Sequence, residues 1–129
     1  MSARLCRNID VRDIAEAAAI SLTQDGHEGQ TYDLVSSTML TGPGTAALWS
    51  KLLGREIKYT GHDFDQFEQA MRARMPAWSA FDLRVMFQGF FERGFASSET
   101  EVARFAKLLD HAPRTYDDFA TETAALWRA

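Results

Sequence analysis

The segment Asn8-Ile9-Asp10-Val11-Arg12-Asp13-Ile14-Ala15 decides how the chain is organised, because a short apolar strand there runs directly into a helix. The apolar residues that follow recur at helical offsets and form one stripe: Val11, Ile14, Ala15, Ala18 and Leu22. Asp10 and Asp13 stand where a capping or first-turn carboxylate is favoured. The segment therefore predicts a junction between a sheet and a helix from about Asp10 to Thr23.

Four motifs in a fixed order resemble the C-terminal half of NmrA-like atypical short-chain dehydrogenases/reductases. They are Asp10-Val11-Arg12-Asp13-Ile14-Ala15-Glu16-Ala17-Ala18, Gly29-Gln30-Thr31-Tyr32-Asp33-Leu34, Leu53-Gly54-Arg55-Glu56-Ile57-Lys58-Tyr59 and Pro113-Arg114-Thr115-Tyr116-Asp117-Asp118-Phe119. The resemblance runs from Ile9 to Trp127. It implies the substrate-binding portion of an NAD(P)-dependent protein without the N-terminal dinucleotide-binding half. We therefore expect no cofactor in this chain, since NAD(P) is implied only for the full-length family.

Composition limits the chain to a few classes of protein. With 129 residues and 46% apolar content it is long enough for one core, and we expect a single domain over residues 1–129. A net charge of −4 with scattered basic residues argues against nucleic acid as a partner. No apolar run is long enough to span a membrane. A single cysteine, Cys6, and the lack of a signal-peptide pattern predict a cytoplasmic location.

The predicted fold is a small α/β domain with a three-stranded, mostly parallel sheet, about six helices and a helical C-terminal half. The strands are expected before the first helix, at Thr31–Val35 and at Arg55–Thr60. Residues 36–44 are predicted to be a polar loop. The second helix is expected to bury a stripe before it ends at Gly54: Thr45, Leu48, Trp49, Leu52 and Leu53.

After Gly61 the periodicity predicts four helices. The first starts near Phe64 and ends before Pro76, which cannot continue a helical hydrogen-bond ladder. The second runs from about Ala77 to Arg93. The third has Ser98 and Glu101 placed as a capping box, and the fourth carries an apolar stripe that reaches Trp127.

The stretch Gly42-Pro43-Gly44-Thr45-Ala46-Ala47 matches the dinucleotide fingerprint G-x-G-x-x-G/A, and Asp63 follows about twenty residues on. The mechanism requires the first glycine directly after a buried strand, so that the helix N-terminus meets the pyrophosphate. Residues 36–41 separate the predicted strand from Gly42. We therefore interpret the motif as the start of a helix.

No residue is assigned a catalytic or metal-binding role from the sequence. A reductase Tyr-x-x-x-Lys pair is absent, because no tyrosine has lysine four residues later. His62, Asp63 and Asp65 are rich in ligand atoms, but Asp63 is also a good N-cap for the helix at Phe64. Cys6 is interpreted as a small buried or neutral thiol in preference to a reactive one.

The helix from about Ala77 to Arg93 carries the candidate site. Six of its residues are assigned to a substrate pocket or an interface: Trp78, Phe81, Met86, Phe87, Phe90 and Phe91. Little room is left for a polar face, so a helix buried on several sides in the core is the competing interpretation. The resemblance favours a pocket, because C-terminal helices of such reductases cover the substrate beside the nicotinamide.

Two classes of function remain open. The first is the substrate-binding portion of an NmrA-like oxidoreductase or redox-sensing regulator, which is not catalytically complete alone. The alternative is an independent ligand-binding or self-assembling module without nucleotide binding, and a weaker third is a self-contained enzyme. The expected partners are a missing dinucleotide-binding half, a small apolar ligand, or a second copy that binds around Leu5, Ile9, Val11 and Ile14.

Overall fold

The computed structural model describes residues 6–94 and 97–128, without the side chains of Cys6 and Arg128. In chain order the elements are β1 (Cys6–Arg7), α1 (Val11–Thr23), β2 (Met39–Leu40), α2 (Gly42–Leu53), α3 (Phe64–Arg72), α4 (Ala77–Arg93), α5 (Glu99–Leu109) and α6 (Tyr116–Arg128). The predictions for Leu5 and for the Cys6 thiol lie outside the described residues. The predicted number of helices and the helical C-terminal half are confirmed.

The predicted three-stranded, mostly parallel sheet is wrong for the described residues. β1 pairs with β2 in an antiparallel ladder, with Cys6 opposite Leu40 and Arg7 opposite Met39. Neither Thr31–Val35 nor Arg55–Thr60 forms a strand. A strand needs a neighbouring backbone to accept and donate its hydrogen bonds, and neither segment has a ladder partner in the described part of the chain. β2 lies within the segment predicted to be a polar loop.

Local capping explains where the helices begin. The Asp10 carboxylate accepts from Arg12 N at 2.8 Å and caps α1. Asp63 caps α3 by accepting from two backbone N–H groups, and the Ser98 hydroxyl caps α5 by accepting from Glu101 N at 3.2 Å. The predicted helix starts at Phe64 and after Ser98 are therefore confirmed. At its end, α2 has Gly54 in the left-handed conformation with φ 65°.

The helices pack as three pairs, α1 with α5, α2 with α6 and α3 with α4. The main core cluster lies between the first pair and consists of Ala17, Phe105 and Leu109, with Ile9, Ile20, Leu34 and Leu108 packed against it. Between α2 and α6, Trp49 stacks on Trp127 with ring centroids 5.0 Å apart. The predicted α2 stripe is only half-buried, because α2 has no fully buried residue.

The expectation that α4 is buried on several sides is wrong. Only Ala80 and Gly89 of α4 are fully buried, and α3 is its main packing partner. Trp78 is 70% exposed, and Phe81, Met86, Phe87 and Phe90 are exposed as well. An all-round apolar pattern predicts burial, but it cannot specify what provides the cover. The chain leaves most of this helix uncovered.

We predict that Phe105→Ala lowers the free energy of unfolding by about 3–5 kcal/mol, because Phe105 is 1% exposed within the core cluster. Phe87→Ala is the matched control, since Phe87 is 45% exposed and loses less packing. Urea denaturation of both variants measures the difference. Equal losses would contradict this description of the core.

Candidate functional site

An aromatic cluster joins α3 to α4 and forms the first candidate site. It consists of His62, Phe64, Phe67, Phe87, Phe90 and Phe91. The His62 ring lies over Phe91 with centroids 3.7 Å apart, and Phe64 meets Phe91 edge-on at 5.8 Å. Phe67 meets Phe87 edge-on at 5.4 Å. Edge-on contacts of this kind are favourable for aromatic rings, so the cluster fixes how the two helices face each other.

The six predicted site residues do not converge on one place. At 100° per residue, Phe87, Phe90 and Phe91 lie on the α4 face that meets α3, whereas Trp78 and Phe81 lie on or near the opposite face. Met86 stands between these two faces. The Arg84 guanidinium lies 5.2 Å from the centroid of the Phe81 ring. α4 therefore carries two apolar surfaces, one within the aromatic cluster and one facing outward.

A cavity of about 510 Å³ opens beside the aromatic cluster. Its walls come from the segment before α3, from α3 itself and from α4: Thr60, Gly61, His62, Asp63, Phe64, Gln66, Phe67, Ala70 and Phe87. Of the six predicted site residues, Phe87 is the one that lines it. The lining is mainly apolar, which is suitable for a ring-containing ligand.

Ion pairs on the same hairpin hold α3 and α4 in register. The Glu68 carboxylate accepts from Arg72 at 2.6 Å and lies 2.8 Å from Arg84 Nε. The hydrogen bond from Arg72 lowers the pKa of Glu68, and the Arg84 charge acts in the same direction. Glu68 therefore stays ionised and connects the two helices.

The Gly42-Pro43-Gly44 motif is the start of α2, as interpreted from the sequence. The Thr41 hydroxyl caps the helix by accepting from Gly44 N at 3.1 Å. β2 ends at Leu40, and only Thr41 separates it from Gly42. The prediction that residues 36–41 separate Gly42 from the preceding strand is therefore wrong. The Tyr59 ring packs directly against Gly42, because a Cβ on Gly42 would lie 2.3 Å from Tyr59 Cε2.

A second cavity, here called the α1–α6 pocket, has a volume of about 190 Å³. It lies where the N-terminal ends of α1 and α6 meet, and it is lined by Asn8, Ile9, Asp10, Val11, Ser36, Arg114, Thr115, Tyr116 and Phe119. Sequence reasoning missed this site. Its residues come from three distant parts of the chain, and two of those parts belong to motifs that carried the family resemblance.

Arg114, which lines the α1–α6 pocket, forms an ion pair with the buried Asp13. Asp13 is 0% exposed, and its carboxylate accepts from the Arg114 guanidinium and, at 2.7 Å, from Arg114 N. Glu16 lies 3.4 Å from the same guanidinium and 3.2 Å from His111 Nε2. The bond with His111 and then the bond with Arg114 lower the pKa of Glu16.

Asp13, Glu16 and His111 place their possible ligand atoms within 4.8 Å of one another. The Arg114 guanidinium already contacts both carboxylates, so a cation occupies the position that a metal ion would take. The other ligand-rich group, at His62, serves different purposes. His62 stacks on Phe91, and Asp63 caps α3. The structure therefore gives no support for a metal site at either place.

The chain is 30% identical over 121 residues to the NAD(P)H azoreductase of Xenophilus azovorans. The match covers 94% of this chain and 42% of the azoreductase. The chain is similar to part of an NAD(P)-dependent reductase. The resemblance to NmrA-like reductases that the motifs indicated is thereby confirmed. No protein-family model matches the chain.

Solved structures have the same fold. The NADPH-dependent quinone oxidoreductase of Escherichia coli superposes with a TM-score of 0.80 at 22% identity, covering 99% of this chain and 44% of that protein. The triphenylmethane reductase of Citrobacter sp., solved with NADP(H), gives a TM-score of 0.78 at 21% identity over 95% of this chain and 42% of its own. This chain therefore spans about two fifths of the proteins that it matches.

We predict that the stabilising contribution of His111 is lost as pH rises above 6.5. The carbonyl oxygen of Ala112, and then the Glu16 carboxylate, raise the pKa of His111 above its ordinary value of 6.5. Protonated His111 therefore stabilises the folded state; this contribution is complete below pH 6.5 and is lost as pH rises through the raised value. Thermal melts over this range should show the loss.

The variant His111→Gln should remove that part of the pH dependence, whereas His27→Gln, a histidine on another segment, should retain it. An unchanged pH profile in His111→Gln would show that the contact with Glu16 has no role in stability.

Proposed function

We propose that this chain is the substrate-binding portion of an NAD(P)-dependent oxidoreductase and that it is not catalytically complete alone. The observation that carries the proposal is the unequal coverage of the azoreductase match, 94% of this chain against 42% of the relative. In this proposal a separate dinucleotide-binding half holds NAD(P), and this chain presents the acceptor molecule to it. The acceptor is a small carbonyl compound, a quinone or a similar molecule.

The amount of exposed surface supports a role that requires a covering partner. The chain exposes 8932 Å², whereas a compact monomer of the same mass exposes about 6,900 Å². Large apolar side chains contribute on several faces. Among them are Val11 on α1, Trp78 on α4, and Leu126 and Trp127 on α6. Apolar surface of this extent typically marks an interaction site.

The two segments that failed to form the predicted strands support the same proposal. Thr31–Val35 and Arg55–Thr60 contain residues typical of strands but lack ladder partners within the described residues. A dinucleotide-binding half built around a parallel sheet could provide the missing neighbours. In that complex both segments would become strands, as the predicted α/β fold requires.

The α3–α4 hairpin supplies the proposed substrate surface. Phe87 lines the 510 Å³ cavity, and Phe90 and Phe91 belong to the adjoining aromatic cluster. An apolar wall with Phe64 and Phe67 opposite offers stacking contacts to a flat acceptor. These side chains provide binding and orientation. They contain no acid or base positioned for proton transfer within the cluster except His62, which stacks on Phe91.

We predict that the isolated chain does not bind NADPH at micromolar concentrations, because in this proposal the phosphate cradle belongs to the dinucleotide-binding half, and Gly42 of the chain's own Gly-Pro-Gly turn is packed against Tyr59. Calorimetric titration measures this directly. The E. coli quinone oxidoreductase, which has been solved with NADPH, is the positive control. One-to-one micromolar binding to this chain would contradict the proposed division of roles.

A second candidate function, a self-assembling module, is favoured by exposure of the α1 stripe. Val11 is 75% exposed and Ile14 is 39% exposed, whereas Ile9, the third described residue of the surface expected to bind a second copy, packs against the core cluster. In the absence of another partner, two copies can cover this surface in a two-fold dimer.

We therefore predict a dimer at tens of micromolar when light scattering is coupled to size exclusion. Val11→Asp should shift the mass towards the 14.5 kDa of one chain, because it places a charge in the apolar patch. Ala19→Asp is the matched control, since it adds the same charge at another exposed position of α1. A wild-type chain that elutes as a monomer would exclude this assembly.

A further inference from the structure

The cavity beside the aromatic cluster has room for more than one ring. Its volume is about 510 Å³, whereas a protein cavity of about 150 Å³ is known to hold benzene. Phe64, Phe67 and Phe87 are among the residues that line it. Aromatic walls of this kind are suited to stacked and edge-on contacts with another ring system. Space and walls together fit two fused rings with a short side chain.

The lining of this cavity carries negative charge. Asp63 is one of the lining residues, and neither lysine nor arginine is present among the described residues that line the cavity. Asp63 Oδ1 accepts from Asp65 N at 3.1 Å and from Gln66 N at 2.9 Å. No partner for Asp63 Oδ2 is found in residues 6–94 and 97–128. One oxygen of this carboxylate is therefore available to a positively charged group.

The N-terminal end of α3, which borders the cavity, does not reverse this sign. A helix N-terminus carries about half a positive charge, which comes from its unpaired backbone N–H groups. Two of those groups already donate to Asp63, and Asp65 adds a second carboxylate in the first turn. Two full negative charges outweigh the helix end, so an anionic ligand is disfavoured here.

Three basic side chains close to the lining in sequence are paired with acids. Arg72 and Arg84 both contact the Glu68 carboxylate, at 2.6 and 2.8 Å. Lys58 lies 3.4 Å from Glu56. Each of these positive charges has a negative neighbour of its own, so they offer an anionic ligand no unpaired counter-charge.

We propose that this cavity binds fused aromatic compounds that carry a protonated amine. The Asp63 carboxylate supplies the counter-charge, and the faces of aromatic rings attract a cation as well. The proposal rests on the proposed function, because this cavity is the one assigned there to the acceptor molecule. It names the substrate class of that site as an aromatic acceptor with an ammonium side chain.

The test compares three naphthalene compounds of similar shape and different charge. They are 2-(1-naphthyl)ethylammonium, 2-(1-naphthyl)ethanol and 1-naphthylacetate. Each is titrated into the ¹⁵N-labelled chain at about pH 7.5, where an ordinary histidine side chain is mostly uncharged, and the amide signals are followed by NMR. We expect saturable shifts at Gly61, Phe64 and Phe87.

The order of affinities gives the result. The ammonium compound should bind about fivefold more tightly than the alcohol, a ratio of the size that an exposed charge pair provides. The acetate should bind more weakly than the alcohol, because its charge has the same sign as that of Asp63. Raising the salt concentration should reduce both differences, since salt screens exposed charges.

Variants decide whether Asp63 is responsible. Asp63→Asn removes the charge and keeps the cap of α3, because asparagine is also a favourable N-cap residue. It should bring the affinities of the ammonium compound and the alcohol together. Asp82→Asn is the matched control, since it removes the same charge from an exposed position of α4 outside the lining, and it should keep the wild-type ratio.

Three results would overturn the proposal. They are an absence of saturable shifts around the cavity, binding of the acetate at least as tight as that of the ammonium compound, or a preference for the ammonium compound that Asp63→Asn leaves unchanged. The proposed function is tested separately, because NADPH binding by the isolated chain would contradict the division of roles without changing this ratio of affinities.

Discussion

The buried carboxylate of Asp13 is the contact on which the arrangement of the chain depends. It lies in the first turn of α1 and is bound by the side chain and the backbone N–H of Arg114, just before α6. A buried carboxylate is stable only when it is paired and hydrogen-bonded, so the segment carrying Arg114 must return to α1. This requirement brings the ends of two distant helices together and creates the α1–α6 pocket between them.

Outside this contact the helices pack in three pairs. The buried apolar residues of the described part of the chain are Ala17, Ala80, Val102, Phe105, Leu109, Ala120 and Ala124. None of the helices in residues 6–94 and 97–128 is long and apolar enough to cross a bilayer. The uncovered apolar faces on α1, α4 and α6 support the proposed function, in which another folded partner covers them.

The sequence predicted the helices well because their signals are local. Asp10, Asp63 and Ser98 cap helices within three residues, and Gly54 ends one in a conformation that glycine favours. The strands could not be predicted in the same way. Whether Thr31–Val35 becomes a strand depends on which backbone lies beside it, and that neighbour is not specified by local sequence.

The candidate site, like the fold, could be predicted from the sequence only where the signals are local. Helical spacing predicts that Phe87 and Phe91 share a direction and that Phe90 stands about 100° from Phe91, but spacing alone does not say which face of α4 meets α3. Asp13 and Arg114 are 101 positions apart, and Ser36 and Tyr116 are 80 apart. No short-range pattern connects such pairs, so the α1–α6 pocket became visible only in the folded chain.

The most direct test of the central claim is hydrogen exchange at residues 31–35 and 55–60 in two forms of the chain. One form is the isolated chain, and the other is fused to the portion of the Xenophilus azovorans azoreductase that this chain does not match. If the chain is the substrate-binding portion of a reductase, a fusion that binds NADPH should protect these amides, while the isolated chain leaves them open to exchange. A fusion that binds NADPH yet leaves both segments unprotected would contradict the claim.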